Sequence, residues 1–271
     1  MIIVKVNIGN HEFSIIWDGV YYHALSNYPN ISEWELNGVI KFVDYESLYG
    51  RKVEFVSDNQ EIIEKINYAL SNKNEFINVE KPEKITECTA CKQKGCVTKY
   101  LCHTAPFENA LSIIKSGSIL SAVKARNISA EQLKLEPRNA AKDPTDYFEY
   151  LMLSWGNCQA GDRLVMERKL DREPNEEDLN KGFTPGVRFF FKYDELVKHP
   201  NAVFDGYHPL KIKDELTLID NVFAIIIPEL YRDKFESILT EHIKDRVYYI
   251  DSNNKDIWEW SESVYKFIDT L

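Results

Sequence analysis

Four of the chain's five cysteines fall between positions 88 and 102, spaced Cys88-x2-Cys91-x4-Cys96-x5-Cys102, and His103 follows at once. A Cys-x2-Cys pair in a tight turn can present two thiolates to one zinc ion in tetrahedral geometry. Gly95, just before the third cysteine, supplies the backbone freedom of a compact turn. The alternative is a loop of reduced thiols with Cys102 simply buried. Cys158 stands alone in "LSWGNCQAGDR" and reads as a small buried residue. An odd cysteine count in a chain of cytoplasmic character argues against a disulfide framework.

The stretch "CHTAPFENALSIIKSGSILS" begins at the last of these four cysteines. A strand ends near His103, Thr104 is placed to cap a helix, and Pro106 suits its first turn. Phe107, Ala110, Leu111 and Ile114 make one apolar face, Gly117 ends the helix, and "SILSA" reads as a short strand. A histidine at a strand end beside a helix N-terminus faces whatever cleft lies there, although a packing role is the plainer expectation for one histidine alone.

The cysteine segment resembles a zinc knuckle, Cys-x2-Cys-x4-His-x4-Cys. Cysteine replaces the histidine, and the last gap is one residue longer. The stretch after it resembles the first motif of DarT-type ADP-ribosyltransferases: His103, Asn109, Ser112, Ile113, Gly117 and Leu120 fall at matching offsets. The family's threonine follows the histidine by two positions; Thr104 follows by one. Val187-Arg188-Phe189-Phe190-Phe191 is similar to the family's central aromatic strand, and "KDELTLIDNVFAIIIPE" sets Glu215 where its catalytic glutamate opens a strand. The resemblance spans about residues 100 to 250. It implies an α+β fold with an ADP-ribosyltransferase-like split β-sheet core, and NAD as substrate. His103, Thr104, Asn109 and Gly117 are then cofactor-side residues, Glu215 is catalytic, and Arg126, with Lys124 second, pairs with the pyrophosphate. Tyr147, Phe148 or Phe190 would supply an aromatic wall for nicotinamide.

That chemistry explains the residue types. Breaking the nicotinamide–ribose bond builds positive charge on the ribose, and a nearby carboxylate stabilises it. A histidine can hold the adenosine ribose. An arginine matches a pyrophosphate in bidentate fashion. No Gly-x-Gly-x-x-Gly follows a strand and no Walker loop is present, so those two routes to nucleotide binding have no support. Two other segments read as site-bearing loops. One is "SWGNCQAGDRLVMERKL", with Asn157, Gln159, Asp162 and Arg163. The other is "HPNAVFDGYHPLKIKDE", where Asp205, Tyr207 and His208 would select the acceptor in the transferase reading, and His199, Asp205 and His208 are an alternative metal set whose spacing matches no common zinc pattern.

Around these motifs, residues 1–80 read as a small α+β accessory unit, with strands in "IIVKVNI", "EFSIIWDG" and "RKVEFVS" and a helix in "NQEIIEKINYALSNK". His11 and His23 read as surface or packing residues. Residues 81–102 form a polar linker carrying the cysteines, and 103–271 the transferase-like domain. "VFAIIIP" and "RVYYI" are strand patterns, "YRDKFESILTEHI" is a helix, and "DIWEWSESVYKFIDTL" is a helix with Ile257, Trp260, Val264, Phe267 and Leu271 on one face. The composition, 44% hydrophobic and 28% charged, is that of a soluble globular chain, and no run suits a bilayer or a signal peptide. A net charge of −10 disfavours a wholly nucleic-acid-binding surface. Lys81, Lys84, Lys92, Lys94 and Lys99 nevertheless make the linker locally basic. The expectation is a cytoplasmic NAD-dependent ADP-ribosyltransferase, a toxin or defence effector, with a macromolecular acceptor such as DNA, RNA or protein and no membrane partner. The alternatives are a degenerate, zinc-knuckle nucleic-acid-binding or partner-binding protein, and an NAD glycohydrolase.

Overall fold

The computed structural model describes residues 1–8, 20–85, 97–136 and 143–271. Cys88, Cys91, Cys96, Lys92, Lys94, His11 and the expected strand in "EFSIIWDG" lie outside those residues. The chain is α+β, with a large mixed sheet and helices.

In the N-terminal unit, β1 (Ile2–Val6), β2 (Val20–His23) and β3 (Val53–Val56) form a parallel sheet of order β2-β1-β3. Between β2 and β3 runs α1 (Glu33–Leu48), a helix absent from the expectations above. Its signal was present: Ser32 and Glu35 make a reciprocal capping box. The α2 helix (Gln60–Ser71) forms as expected, capped by Asn59, with Ile62 and Ile66 buried.

The main sheet has seven strands in the order β12-β11-β7-β4-β6-β9-β8. In chain order β4 is Tyr100–Ala105, β5 Ser118–Leu120, β6 Tyr150–Trp155, β7 Val187–Lys192, β8 Ala202–Val203, β9 Leu210–Lys213, β10 Glu215–Thr217, β11 Ala224–Pro228 and β12 Val247–Ile250. The β5 and β10 strands pair only with each other. The helices are α3 (Phe107–Ser116), α4 (Ala122–Arg126), α5 (Ala130–Lys134), α6 (Ala160–Leu170), α7 (Glu176–Asn180), α8 (Tyr193–Leu196), α9 (Leu218–Asn221), α10 (Arg232–Glu236) and α11 (Ile257–Ile268). Two expectations shift in detail. Thr104 is the fifth residue of β4 and not a cap; Pro106 precedes α3, and Gly117 ends it with φ 75°. The helix expected over 231–243 shortens to α10.

Strand alternation divides the sheet's side chains between two layers. On the front, Leu101, Phe189, Phe191, Leu153 and Ile225 pack against α3, α10 and the β5–β10 ladder through Ile114, Phe235, Ile119 and Leu216. On the back, Cys102, Phe190 and Ile226 pack beneath Trp260, Val264 and Ile268 of α11. Every side chain named in this back layer is essentially inaccessible to water.

The N-terminal unit docks on the remaining back surface. Tyr45 and Arg51 bond Asp146 at 2.5 and 2.6 Å, Tyr21 meets the Tyr147 hydroxyl at 2.8 Å, and Tyr49 meets that of Tyr150 at 3.0 Å. Gly206 drives the 204–208 loop against α1: at φ 70°, a Cβ there would lie 2.0 Å from the Gly38 carbonyl and 2.3 Å from the Phe42 nitrogen. Residues 1–80 are therefore joined to the rest by packed, hydrogen-bonded surface as well as by the linker. Among the described residues no helix is long and apolar enough to cross a membrane.

Candidate functional site

The sheet opens between β4 and β6. Six residue pairs join β4 to β7, from Tyr100↔Lys192 to Ala105↔Val187, but only Leu101↔Trp155 and Cys102↔Ser154 join β4 to β6. Past Cys102 these two strands part, while Tyr150–Leu153 of β6 pair on their other side with β9. His103 is the first residue of β4 beyond the junction. It is half-buried, and its ring tilts against Phe189 at 6.4 Å between centroids. Burial, helped by the Arg168 charge nearby, pushes its pKa down to about 4. The ring is therefore neutral at pH 7, with one nitrogen donating and one accepting.

Glu215 stands at the wide end. Tyr150 pairs with Lys213, and the Asp214 N–H donates to the Glu149 carbonyl at 2.9 Å. Asp214, at φ 66°, then turns the chain out of the sheet. Glu215 begins β10 opposite Leu120, with its side chain exposed. The Ser121 N–H donates to the Asp214 carbonyl at 2.7 Å, so α4 starts beside Glu215. Arg126 lies five residues along, about 7.5 Å of helix axis. Its guanidinium is exposed and pairs with Glu136 at 2.6 Å. Asn109 is exposed on α3, and Gly117 serves as that helix's left-handed cap while its carbonyl accepts the Leu218 N–H at 2.8 Å.

Other expected site residues are placed in the interior. Phe190 is wholly buried under α11, and Tyr147 is 2% exposed with its hydroxyl on Tyr21, so neither can wall a nicotinamide. Phe148, also buried, packs on Ala130 and Leu133. Cys102 does not fit a zinc site: it lies in the sheet core, its thiol 3.7 Å from the Thr104 hydroxyl, and burial pushes its pKa up to about 12, whereas a zinc ligand must be a thiolate. Among the described residues no cluster of three or more His, Cys, Asp or Glu side chains could hold a metal. The described linker lysines have intramolecular neighbours: Lys81 lies over the Tyr193 and Trp155 rings, and Lys84 and Lys99 face Asp269 at 3.4 and 3.9 Å.

Two buried charge centres occupy the back face, where alternation sets Arg188, Thr104, Cys102, Ser154, Met152 and Lys211 on one side of the sheet. In the first, Asp162 of α6 accepts from Arg188 Nε and Nη2 at 2.7 and 2.5 Å and from the Gly186 N–H at 2.9 Å, with both ionic side chains 0% exposed. In the second, Asp205 Oδ2 meets His208 Nδ1 at 2.8 Å and Lys211 Nζ at 3.3 Å, while Oδ1 accepts the backbone N–H groups of Tyr207 and His208. Burial alone would raise the Asp205 carboxyl. His208, Lys211 and the backbone donors outweigh it and hold the group well below the usual carboxylate range. An ionised Asp205 fixes the proton of His208 on Nδ1. Lys211 sits over the rings of Tyr45, Tyr147 and Tyr150 at 3.8, 4.1 and 4.5 Å, and burial lowers its pKa. The sequence marked Asp162, Asp205 and His208 as loop residues of interest but gave no sign of Lys211, whose "LKIK" setting is that of an ordinary strand.

Compared with known proteins, the chain matches no family model, no curated protein and no solved structure.

Proposed function

We propose that the chain is an NAD-consuming ADP-ribosyltransferase whose cofactor lies along the opening between β4 and β6. The observation that carries this is the position of that opening. It starts at His103, the residue that the motif assigns to NAD, and its wide end carries both Glu215 and the helix bearing Arg126. The β5–β10 ladder that holds Glu215 packs on the same face of the sheet as His103, which supports this reading.

In this reaction the neutral His103 ring hydrogen-bonds a ribose hydroxyl and fixes the bent cofactor. Arg126 exchanges its exposed partner Glu136 for the pyrophosphate; a solvent-exposed pair is worth at most about 1 kcal/mol and yields readily. As the ribose C1′–N bond breaks, its electron pair leaves with nicotinamide, now neutral. The Glu215 carboxylate stabilises the positive charge on the ribose. A lone pair of the acceptor then bonds C1′ and the acceptor's proton passes to solvent.

The test is incubation with adenine-labelled NAD and cell lysate, followed by separate protease and nuclease digestion. Transfer to a polymer is expected, and Glu215→Gln should lower it about a hundredfold to a thousandfold while NAD binding persists. Nicotinamide release without transfer would make the protein a glycohydrolase. An absence of NAD binding by the wild type would end the proposal.

A further inference from the structure

Among the described residues, five that are not glycine hold a left-handed backbone, and all five are Asn or Asp. These two types tolerate that conformation best after glycine, whereas a β-branched residue there is strained. Asn127 and Asp171 use it to end α4 and α6. Asp214, at φ 66°, uses it to join β9 of the main sheet to β10 of the two-stranded ladder. Both of its backbone groups are held. Its N–H donates to the Glu149 carbonyl at 2.9 Å, and its carbonyl accepts the Ser121 N–H at 2.7 Å.

This turn decides which face Glu215 reaches. Lys211 of β9 lies on the back of the sheet, over the rings of Tyr45 and Tyr147. Side chains alternate between faces along a strand. An unbroken strand would therefore set Lys213 and then Glu215 on that back face, away from His103. Instead the chain leaves the sheet at Asp214. Leu216 enters the front core opposite Ile119, wholly buried, and Glu215 is left exposed opposite Leu120. The same residue anchors α4, because Ser121, bonded to the Asp214 carbonyl, caps that helix by accepting the Lys124 N–H at 3.4 Å.

We infer that Asp214 is the positioning residue for Glu215, acting through its left-handed backbone and not through its charge. The inference rests on the proposed transferase reaction, in which the Glu215 carboxylate stabilises the ribose cation. A carboxylate does so only from the right side and distance, and a misplacement of about 1 Å can cost about a hundredfold in rate. Asn and Gly adopt the backbone of Asp214 at little cost. Alanine adopts it less readily, and valine, branched at Cβ, least of all.

The experiment is steady-state kinetics of nicotinamide release from NAD by the full chain, with NAD binding measured by calorimetry. The variants are Asp214→Asn, Asp214→Gly, Asp214→Ala and Asp214→Val. Asn254→Val places the same strain, at φ 56°, in the loop between β12 and α11 and controls for general destabilisation. Asp214→Val is expected to lower kcat about tenfold to a hundredfold while KM and NAD affinity stay within about threefold. Asp214→Ala should lose less, Asp214→Asn and Asp214→Gly should keep most of the turnover, and Asn254→Val should lower the melting temperature without changing kcat. An Asn variant as impaired as the Val variant would show that the carboxylate itself acts, and would overturn the inference. An unimpaired Val variant, or one that loses NAD binding together with kcat, would overturn it too. Should the Val variant fail to fold, the Ala and Gly variants decide: equal kcat values in those two would overturn the role of the backbone. A wild type that releases no nicotinamide would sink the transferase reading and this inference with it, whereas an active wild type with an unimpaired Val variant would sink the inference alone.

Discussion

The opening between β4 and β6 and the back face of the same sheet carry their charges on opposite terms. At the wide end of the opening, Glu215 and Arg126 are exposed, and Arg126 keeps a partner that it can exchange. On the back of the same sheet, Asp162–Arg188 and Asp205–Lys211 are ion pairs without access to water. Exposed charges are weakly held and remain available to a ligand. Buried pairs are fixed, because separating them leaves an uncompensated charge in a poorly polarisable interior. Function is therefore expected to reside in the charges that contribute least to stability.

The largest expected effect is on the buried side. Asp162→Ala would strand the Arg188 guanidinium and lose the Gly186 hydrogen bond, destabilising the fold by about 3–5 kcal/mol in urea unfolding. The double variant Asp162→Leu/Arg188→Met should recover a substantial part of that loss. If the single and double variants unfold alike, the cost lies in packing and not in the stranded charge.

Gly206→Ala comes next. Its methyl group would meet the Gly38 carbonyl and Phe42 nitrogen, and the backbone holds a left-handed conformation there. The strain should cost about 1–3 kcal/mol and loosen the 204–208 loop from α1, which amide hydrogen exchange in both segments would detect. Unchanged protection in α1 would mean that the N-terminal unit is held by its tyrosine and Asp146 contacts alone.

Acid should separate the two kinds of charge. His103 has a folded pKa pushed down to about 4 from the ordinary 6.5, so between those values the unfolded chain binds the proton and stability falls as pH falls. Asp205, depressed in the folded protein, adds a loss that begins near the usual Asp range and grows at lower pH. Denaturation midpoints measured from pH 7 to 3 should therefore decline in two stages, and His103→Gln should shrink the upper one, leaving the part due to His23, whose pKa burial also lowers.

The smallest stability effect is expected at Arg126. Arg126→Ala breaks an exposed pair with Glu136 and should change stability by less than about 1 kcal/mol, while weakening NAD binding measurably. A large stability loss without a binding defect would make Arg126 a structural residue.

Much of the local structure was legible in the sequence, because it depends on spacing along the chain. The α3 pattern with its Gly117 terminus, the α2 face, and the apolar strands β7 and β11 follow from periodicity and cap chemistry alone; on α11 Ile257, Trp260 and Val264 are buried as expected, but Ile268 is buried in place of Leu271, which lies past the helix end and is exposed. Thr104 misled because a threonine two residues before a proline suits a cap or a strand equally, and six paired residues with β7 decided for the strand. Phe190 and Tyr147 misled for a related reason: a ring's availability depends on what covers it, and α11 and the N-terminal unit come from distant parts of the chain.

What the sequence by itself determined is most of the elements, α1 and the length of α10 excepted, and the candidate histidine, arginine and glutamate. What only the tertiary structure decided is which side chains are covered and which distant segments meet. The two-pair junction of β4 and β6, the wedge of Gly206 on α1, and the three tyrosines around Lys211 join residues separated by tens to more than a hundred positions. No local propensity encodes such meetings. Lys211 is an unremarked strand residue until α1 and β6 bring their rings to its ammonium, and Asp205, held by its own loop, completes the pair.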